Sequence, residues 1–185
     1  MNGKRGKSDS LPGGGSGGAR ESSVIRNAAM LVPAVAILTV CSVAAAADPE
    51  RFTARVVGVH DGDTLTALDD KRQLKVRLHG IDAPELGQPF GQASKKALSD
   101  LVFGKTVTLH TTGTDRYKRT LARVTAGDIE VEAQVIATGH AWHYSRYDHT
   151  TALEAAERNA RAARRGLWAD AEPVPPWEWR AGERD

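Results

Sequence analysis

Between Phe52 and Leu78 apolar residues recur at every second position, and acidic turn signals interrupt the pattern twice. No other feature narrows the fold as much, because a period of two over short runs marks strands with one buried face. Residues 52–60 read as a first strand with Phe52, Ala54 and Val56 on one side, and Asp61-Gly62-Asp63 turns the chain. Residues 64–68 return, and Asp69-Asp70 turns again. Residues 73–78 then place Leu74, Val76 and Leu78 on one side, with Lys75 and Arg77 on the other. This is a three-stranded meander, and its apolar face has to be covered by further strands or helices.

Later segments supply both. Residues 106–112 and 121–125 read as a fourth and fifth strand, the first with Val107 and Leu109 inward, the second closed by Ala126-Gly127-Asp128. Residues 91–103 carry Ala93, Ala97, Leu98 and Leu101 on one helical stripe and stop at Gly104. Residues 131–138 form a short helix before Gly139. A last helix opens on the capping-box pair Thr151 and Glu154, and Leu153, Ala156, Ala160, Ala163 and Leu167 make one face ahead of a stop at Gly166. The order βββ-α-ββ-α-α is α+β, mainly β, and fits a five-stranded Greek-key barrel of the OB type with three helices. Residues 48–170 are the expected domain. Residues 171–185 form a tail whose P-V-P-P-W-E-W run reads as extended. Trp177 and Trp179 either pack it back onto the barrel or offer it to a partner.

The formal charge of +2 invites a polyanion reading but is unevenly placed. Lys4, Arg5, Lys7, Arg20 and Arg26 against Asp9 and Glu21 put +3 in the first 47 residues, which leaves −1 for residues 48–185. A broad basic coat is excluded, so any phosphate must be met by a few placed groups. Cys41 is the sole cysteine, and residues 48–185 can form no disulfide. Residues 1–27 form a basic, Gly/Ser-rich leader with nothing to bury. Residues 28–47 are almost wholly apolar and end in A-A-A-A before Asp48. This pattern is either a secretory signal cleaved at Ala47/Asp48 or a retained membrane anchor. Val40 is bulky where a lipoprotein site at Cys41 wants a small residue. Both main readings put the body outside the cytoplasm, in the periplasm, the envelope or the medium.

Three segments carry chemistry. Asp61-Gly62-Asp63 puts two carboxylates at a hairpin, Ile81-Asp82-Ala83-Pro84-Glu85 follows the third strand, and Asp115-Arg116-Tyr117-Lys118-Arg119 links the fourth and fifth. Each alone reads as a solvated connection. A small barrel can gather them at one end, with Asp63, Asp82 and Glu85 facing Arg77 and Arg119. Phosphodiester hydrolysis needs such parts: oxygen ligands for a hard cation, guanidiniums for phosphate, and a carboxylate to take a proton from water. His140, His143 and His149 lack strong zinc spacing and read as surface or packing residues. Trp142 reads as core, and Tyr144 and Tyr147 as candidate platforms for bases. The Arg158, Arg161, Arg164 and Arg165 face reads as solvated.

Taken together, V-H-D-G-D-T-L (59–65), V-R-L-H-G-I-D-A-P-E (76–85), D-R-Y-K-R-T-L-A (115–122), G-H-A-W (139–142) and R-G-L-W (165–168) resemble the staphylococcal nuclease, or thermonuclease, family in order and spacing. The resemblance covers about 51–168 and implies the OB barrel with three helices. It implies a calcium-dependent nuclease that cuts DNA and RNA, favours unpaired strands and leaves 3′-phosphates; a monomer is the expected state. It implies Asp63, Asp82 and the Ala83 carbonyl as calcium ligands, with Asp61 reaching the metal through water. Glu85 would be the general base and Arg77 and Arg119 the phosphate-binding arginines. Tyr117 would bond a terminal phosphate, while Lys118, Tyr144 and Tyr147 are candidates for substrate contact by residue type and not by the resemblance. Lys118 departs from the pattern, which often has Gly there, and Glu132 stands where Asn is common. A binding module that had lost catalysis would lack some of these groups, whereas this chain keeps Asp63, Arg77, Asp82, Glu85 and Arg119. A structural envelope protein using the Pro/Trp tail would leave the charged constellation without a purpose.

Overall fold

The alternation read between Phe52 and Leu78 becomes a curled sheet in the computed structural model, which describes residues 50–182. In chain order the strands and helices are β1 (Arg51–Val59), β2 (Thr64–Asp69), β3 (Arg72–Leu78), β4 (Ile81–Asp82), α1 (Gly91–Val102), β5 (Thr106–Thr114), β6 (Thr120–Ala126), β7 (Ile129–Glu130), α2 (Val131–Ala137), β8 (Trp142–His143), α3 (Thr151–Ala162) and α4 (Pro176–Gly182). The sheet runs β3-β2-β1-β5-β6-β7. It closes on itself where β3 lies parallel to β6, with Val76 opposite Thr120, Arg77 opposite Leu121 and Leu78 opposite Ala122. The five long strands make a closed barrel, as expected. The apolar segment 28–47 lies outside the described residues, and no described helix is long and apolar enough to cross a membrane.

Period-two patterning sends Ala54, Val56, Leu65, Ala67, Val76, Leu78, Val107, Leu109, Ala122 and Val124 into the barrel. Leu98 and Val102 of α1 and Val131, Val135 and Ile136 of α2 join the same core. Each fully buried Leu or Val stabilises the fold by about 1.5–3 kcal/mol before its ordering cost. A second cluster joins Trp142, Ala160, Leu167 and Trp168, with Trp177 against it. Gly139 and Gly166 explain the G-H-A-W and R-G-L-W motifs. Their backbones touch, Leu167 donates its N–H to the Gly139 carbonyl at 2.8 Å, and a Cβ on Gly139 would sit 2.1 Å from the Arg165 carbonyl oxygen.

The structure departs from the sequence reading at five places. Residues 81–82 are not only loop: β4 pairs with β8, Ile81 opposite His143 and Asp82 opposite Trp142. The inner face of α1 is Gly91, Ser94, Leu98 and Val102, while Ala93 is exposed. Ser94 is tolerated inside because its hydroxyl donates to the His140 carbonyl. The Thr151–Glu154 capping box does not form. Thr150 is the N-cap residue and makes no side-chain cap; its hydroxyl accepts from Arg123 at 2.7 Å instead. α3 stops at Ala162, leaving Ala163 exposed, because Arg164 turns left-handed (φ 49°); Leu167 is buried from a separate 3₁₀ turn, Gly166–Ala169. The tail is not extended throughout, since α4 is a fourth helix. Pro176 occupies its first turn, where a missing N–H costs nothing, and Glu178 and Trp179 donate their N–H groups to Pro175 at 3.0 Å.

Candidate active site

The turn after β1 is drawn tightly against the start of the 81–85 segment. A Cβ on Gly62 would fall 2.6 Å from the Cβ atoms of both Ala83 and Ser94, so only glycine permits the approach. Asp61 accepts the Asp63 N–H at 3.0 Å and sets the turn. Asp63 is thereby buried at the barrel end, where its Oδ2 accepts the Ala83 N–H at 2.8 Å and its Oδ1 accepts the Thr64 hydroxyl at 3.0 Å. The β4–β8 ladder holds Asp82 alongside.

Arg77, the last outward-facing residue of β3, joins the two carboxylates. Its Nε lies 3.0 Å from Asp63 Oδ1 and its Nη2 2.8 Å from Asp82 Oδ1. Its Nη1 donates to the Leu78 and Ile81 carbonyls, each at 2.8 Å. Across the barrel seam, Arg119 is fixed by Asp115, which accepts its Nε at 2.7 Å and its backbone N–H at 2.9 Å. Arg119 Nη1 reaches the Thr64 hydroxyl at 3.3 Å. Burial works to raise the Asp115 carboxyl, yet the bonds from Arg119 hold it below the usual range.

These groups line one cavity of about 730 Å³ together with Glu85, Arg116, Tyr117, Tyr144 and Tyr147. Tyr117 is exposed, with its ring under Arg116 at 4.7 Å and Arg119 at 5.5 Å. Tyr144 and Tyr147 meet edge-on at 5.0 Å. Lys118 is absent from the lining and sits in the left-handed region (φ 62°), the backbone state that suits glycine. The histidines do not gather: His140 Nδ1 meets the Thr138 hydroxyl at 3.0 Å, and His143 is buried 3.4 Å from Asp148. Arg158 and Arg161 pair with Glu154 and Glu157 on their own helix.

The family profile described as staphylococcal nuclease homologue matches residues 75–170. An uncharacterised endonuclease of Haemophilus influenzae is 46% identical over 149 residues, 80% of this chain and 84% of its own. The chain belongs to the staphylococcal nuclease family. An uncharacterised endonuclease of Escherichia coli is 44% identical over 127 residues, 68% of this chain and 83% of its own. A probable staphylococcal-like nuclease of rice (Oryza sativa subsp. japonica) is 36% identical over 131 residues, 71% of this chain and 34% of its own.

Three of the five motifs thus meet in one cleft, with Asp63, Arg77, Asp82, Ala83, Glu85, Tyr117 and Arg119 along its wall. Whether that cleft suits a cation depends on its donors. Asp63 and Asp82 offer only oxygen, the chemistry of a hard divalent ion. Burial pushes the Asp63 carboxyl up to about 6 against the pull of Arg77. Among the described residues no three acidic, cysteine or imidazole side chains converge as a metal cage. A cation here would rest on two carboxylates, supplemented by carbonyl or water.

Three contributors escaped the sequence reading, and a fourth, Trp177, was read only as packing the tail back onto the barrel or offering it to a partner. Asp115 and Thr64 orient Arg119, and their signal was local, an acidic residue four positions ahead of the arginine and a hydroxyl after the turn. Arg180 and Trp177 come from α4. Arg180 lies 2.7 Å from Asp82 Oδ2 and 2.6 Å from Glu85 Oε1. Trp177 stacks on Tyr144 at 5.4 Å and 12°. No sequence period announces either contact.

Proposed function

We propose that the protein is a calcium-dependent nuclease that hydrolyses phosphodiester bonds of DNA and RNA with little sequence preference, favouring single strands and leaving 3′-phosphates. The observation that carries this reading is the meeting of Asp63, Asp82, Glu85, Arg77 and Arg119 in one cleft at the barrel end. Membership of the nuclease family and the endonuclease names of its relatives support it.

Asp63, Asp82 and the Ala83 carbonyl are the groups that would hold calcium, with Asp61 acting through water; the bound ion supplies charge neutralisation at the phosphate. Glu85 stands at the cleft with its side chain 39% exposed, where it can take a proton from an attacking water. The water oxygen bonds to phosphorus as the bond to the 5′-oxygen breaks. Arg119, oriented by Asp115, is placed to hold a phosphate oxygen and to steady the charge that builds on the leaving oxygen. Arg77 reaches the same wall and balances the two buried aspartates. Tyr117 with Arg116 fits a terminal phosphate, and exposed Tyr147 offers a face to a base. The chain works as a monomer in this reading. It is exported before it acts, with a mature start at Asp48 or with residues 28–47 kept as an anchor.

The decisive experiment incubates the purified protein with single-stranded DNA and with RNA, first in calcium and then in a chelator. Cleavage in calcium, its loss in chelator, and 3′-phosphate ends are the expected results. Full activity in chelator overturns the cation assignment. N-terminal sequencing of protein from its native host checks the export reading, which a full-length soluble cytoplasmic chain would overturn.

A further inference from the structure

The segment after residue 170 lies beyond the stretch that matches the family, yet its Arg180 lines the cleft. Contacts among the described residues dock it. Gln88 donates its amide to the Val174 carbonyl at 2.5 Å. The Trp177 ring packs edge-on against Trp142 at 6.4 Å and lies flat on Tyr144. Arg180 then bridges Asp82 and Glu85. Asp82 has Arg77 on one oxygen and Arg180 on the other, so both are engaged by guanidiniums. Glu85, the group placed to deprotonate water, is held by the same guanidinium. A flat indole against Tyr144 takes the position an unpaired base would take on that ring.

From these contacts we infer that the arm 173–182 is an internal ligand of the cleft, in which Arg180 takes the place of the cation and Trp177 the place of a base. This rests on the nuclease reading given above. Cation and guanidinium repel, and both need Asp82, so the protein binds calcium and a single strand only in the fraction of molecules whose arm has left. The arm is suited to leaving: it is short, and the Arg180 side chain keeps 33% of its surface exposed.

The test uses the full-length chain, with Arg180→Gln and Trp177→Ala variants checked for folding by circular dichroism. Calcium binding is measured by titration calorimetry without nucleic acid. If the arm is away in about a tenth of wild-type molecules, each variant should bind calcium about tenfold more tightly. Hydrogen exchange of the 177–182 amides should also quicken when calcium and an oligothymidylate are added to wild type. Calcium affinity unchanged or weaker in both variants, with cleavage intact in wild type, overturns the internal-ligand assignment and leaves the nuclease reading standing. No calcium binding and no cleavage in any of the three proteins overturns both.

Discussion

Arg119 is held by a single carboxylate, and the fixed direction of its guanidinium is what the proposed chemistry needs. Arg119→Ala should lower turnover by about 10²–10³-fold, as for loss of a transition-state donor. Arg119→Lys should not restore it, because an ammonium cannot grip two oxygens with Asp115 behind it. Glu85→Gln should cost about 10²–10⁴-fold if Glu85 takes the proton. Single-turnover rates on labelled single-stranded DNA measure all three, with circular dichroism as the folding control. Near-normal rates throughout would remove this cleft as the site of reaction. Lys118 makes a contrasting case. Its side chain does not line the cleft, and its backbone is left-handed. Lys118→Gly should therefore be more stable than Lys118→Ala by about 1 kcal/mol in urea unfolding, with little effect on turnover in either.

Among the elements, the hairpin between β1 and β2 and the short β4–β8 ladder do the positioning. Gly62→Ala would press a methyl into Ala83 and Ser94. It should destabilise by about 1–3 kcal/mol and, by moving Asp63 away from Asp82, weaken calcium binding in calorimetry. Unchanged affinity and melting temperature would mean that the turn has room the geometry denies. The strands of the barrel were legible because their inward residues alternate, over five positions in β1 and β3 and over three in β2, β5 and β6. The β4–β8 ladder was not, since two residues cannot display a period. Ser94 was left off the α1 stripe because a hydroxyl looks polar until its acceptor, the His140 carbonyl 46 residues away, is known. Proline-dense sequence suggested an extended tail, although Pro176 fits the first turn of a helix. The site residues were legible as motifs, and their convergence needed the topology. Arg180 carried no local signal, because its meaning lies in a contact with Asp82 98 residues away.

For the whole molecule, stability carries a pH signature from Glu132. Its side chain is buried, and its carboxyl accepts the Val124 N–H at 2.9 Å. Burial pushes it up from 4.5 to about 8, with the Val124 bond pulling the other way. Between those values folding takes up a proton. The stabilisation from this group is whole below the lower value and is lost as pH rises through the upper one. Glu132→Gln should keep the bond to Val124 and remove that loss. Urea midpoints from pH 5 to pH 8.5 should show the wild type falling behind the variant by about 2–4 kcal/mol at the alkaline end; parallel profiles would refute a neutral buried carboxyl. The parallel seam between β3 and β6 has a consequence in time as well as in space. Arg77 and Arg119 sit on opposite lips of it, so the two arginines become neighbours only when the ends of the meander and of the second hairpin zip together. Pairings so distant in sequence form late in folding. In the export reading proposed above, a chain kept unfolded until it leaves the cytoplasm would carry no assembled cleft past the nucleic acids it was made among.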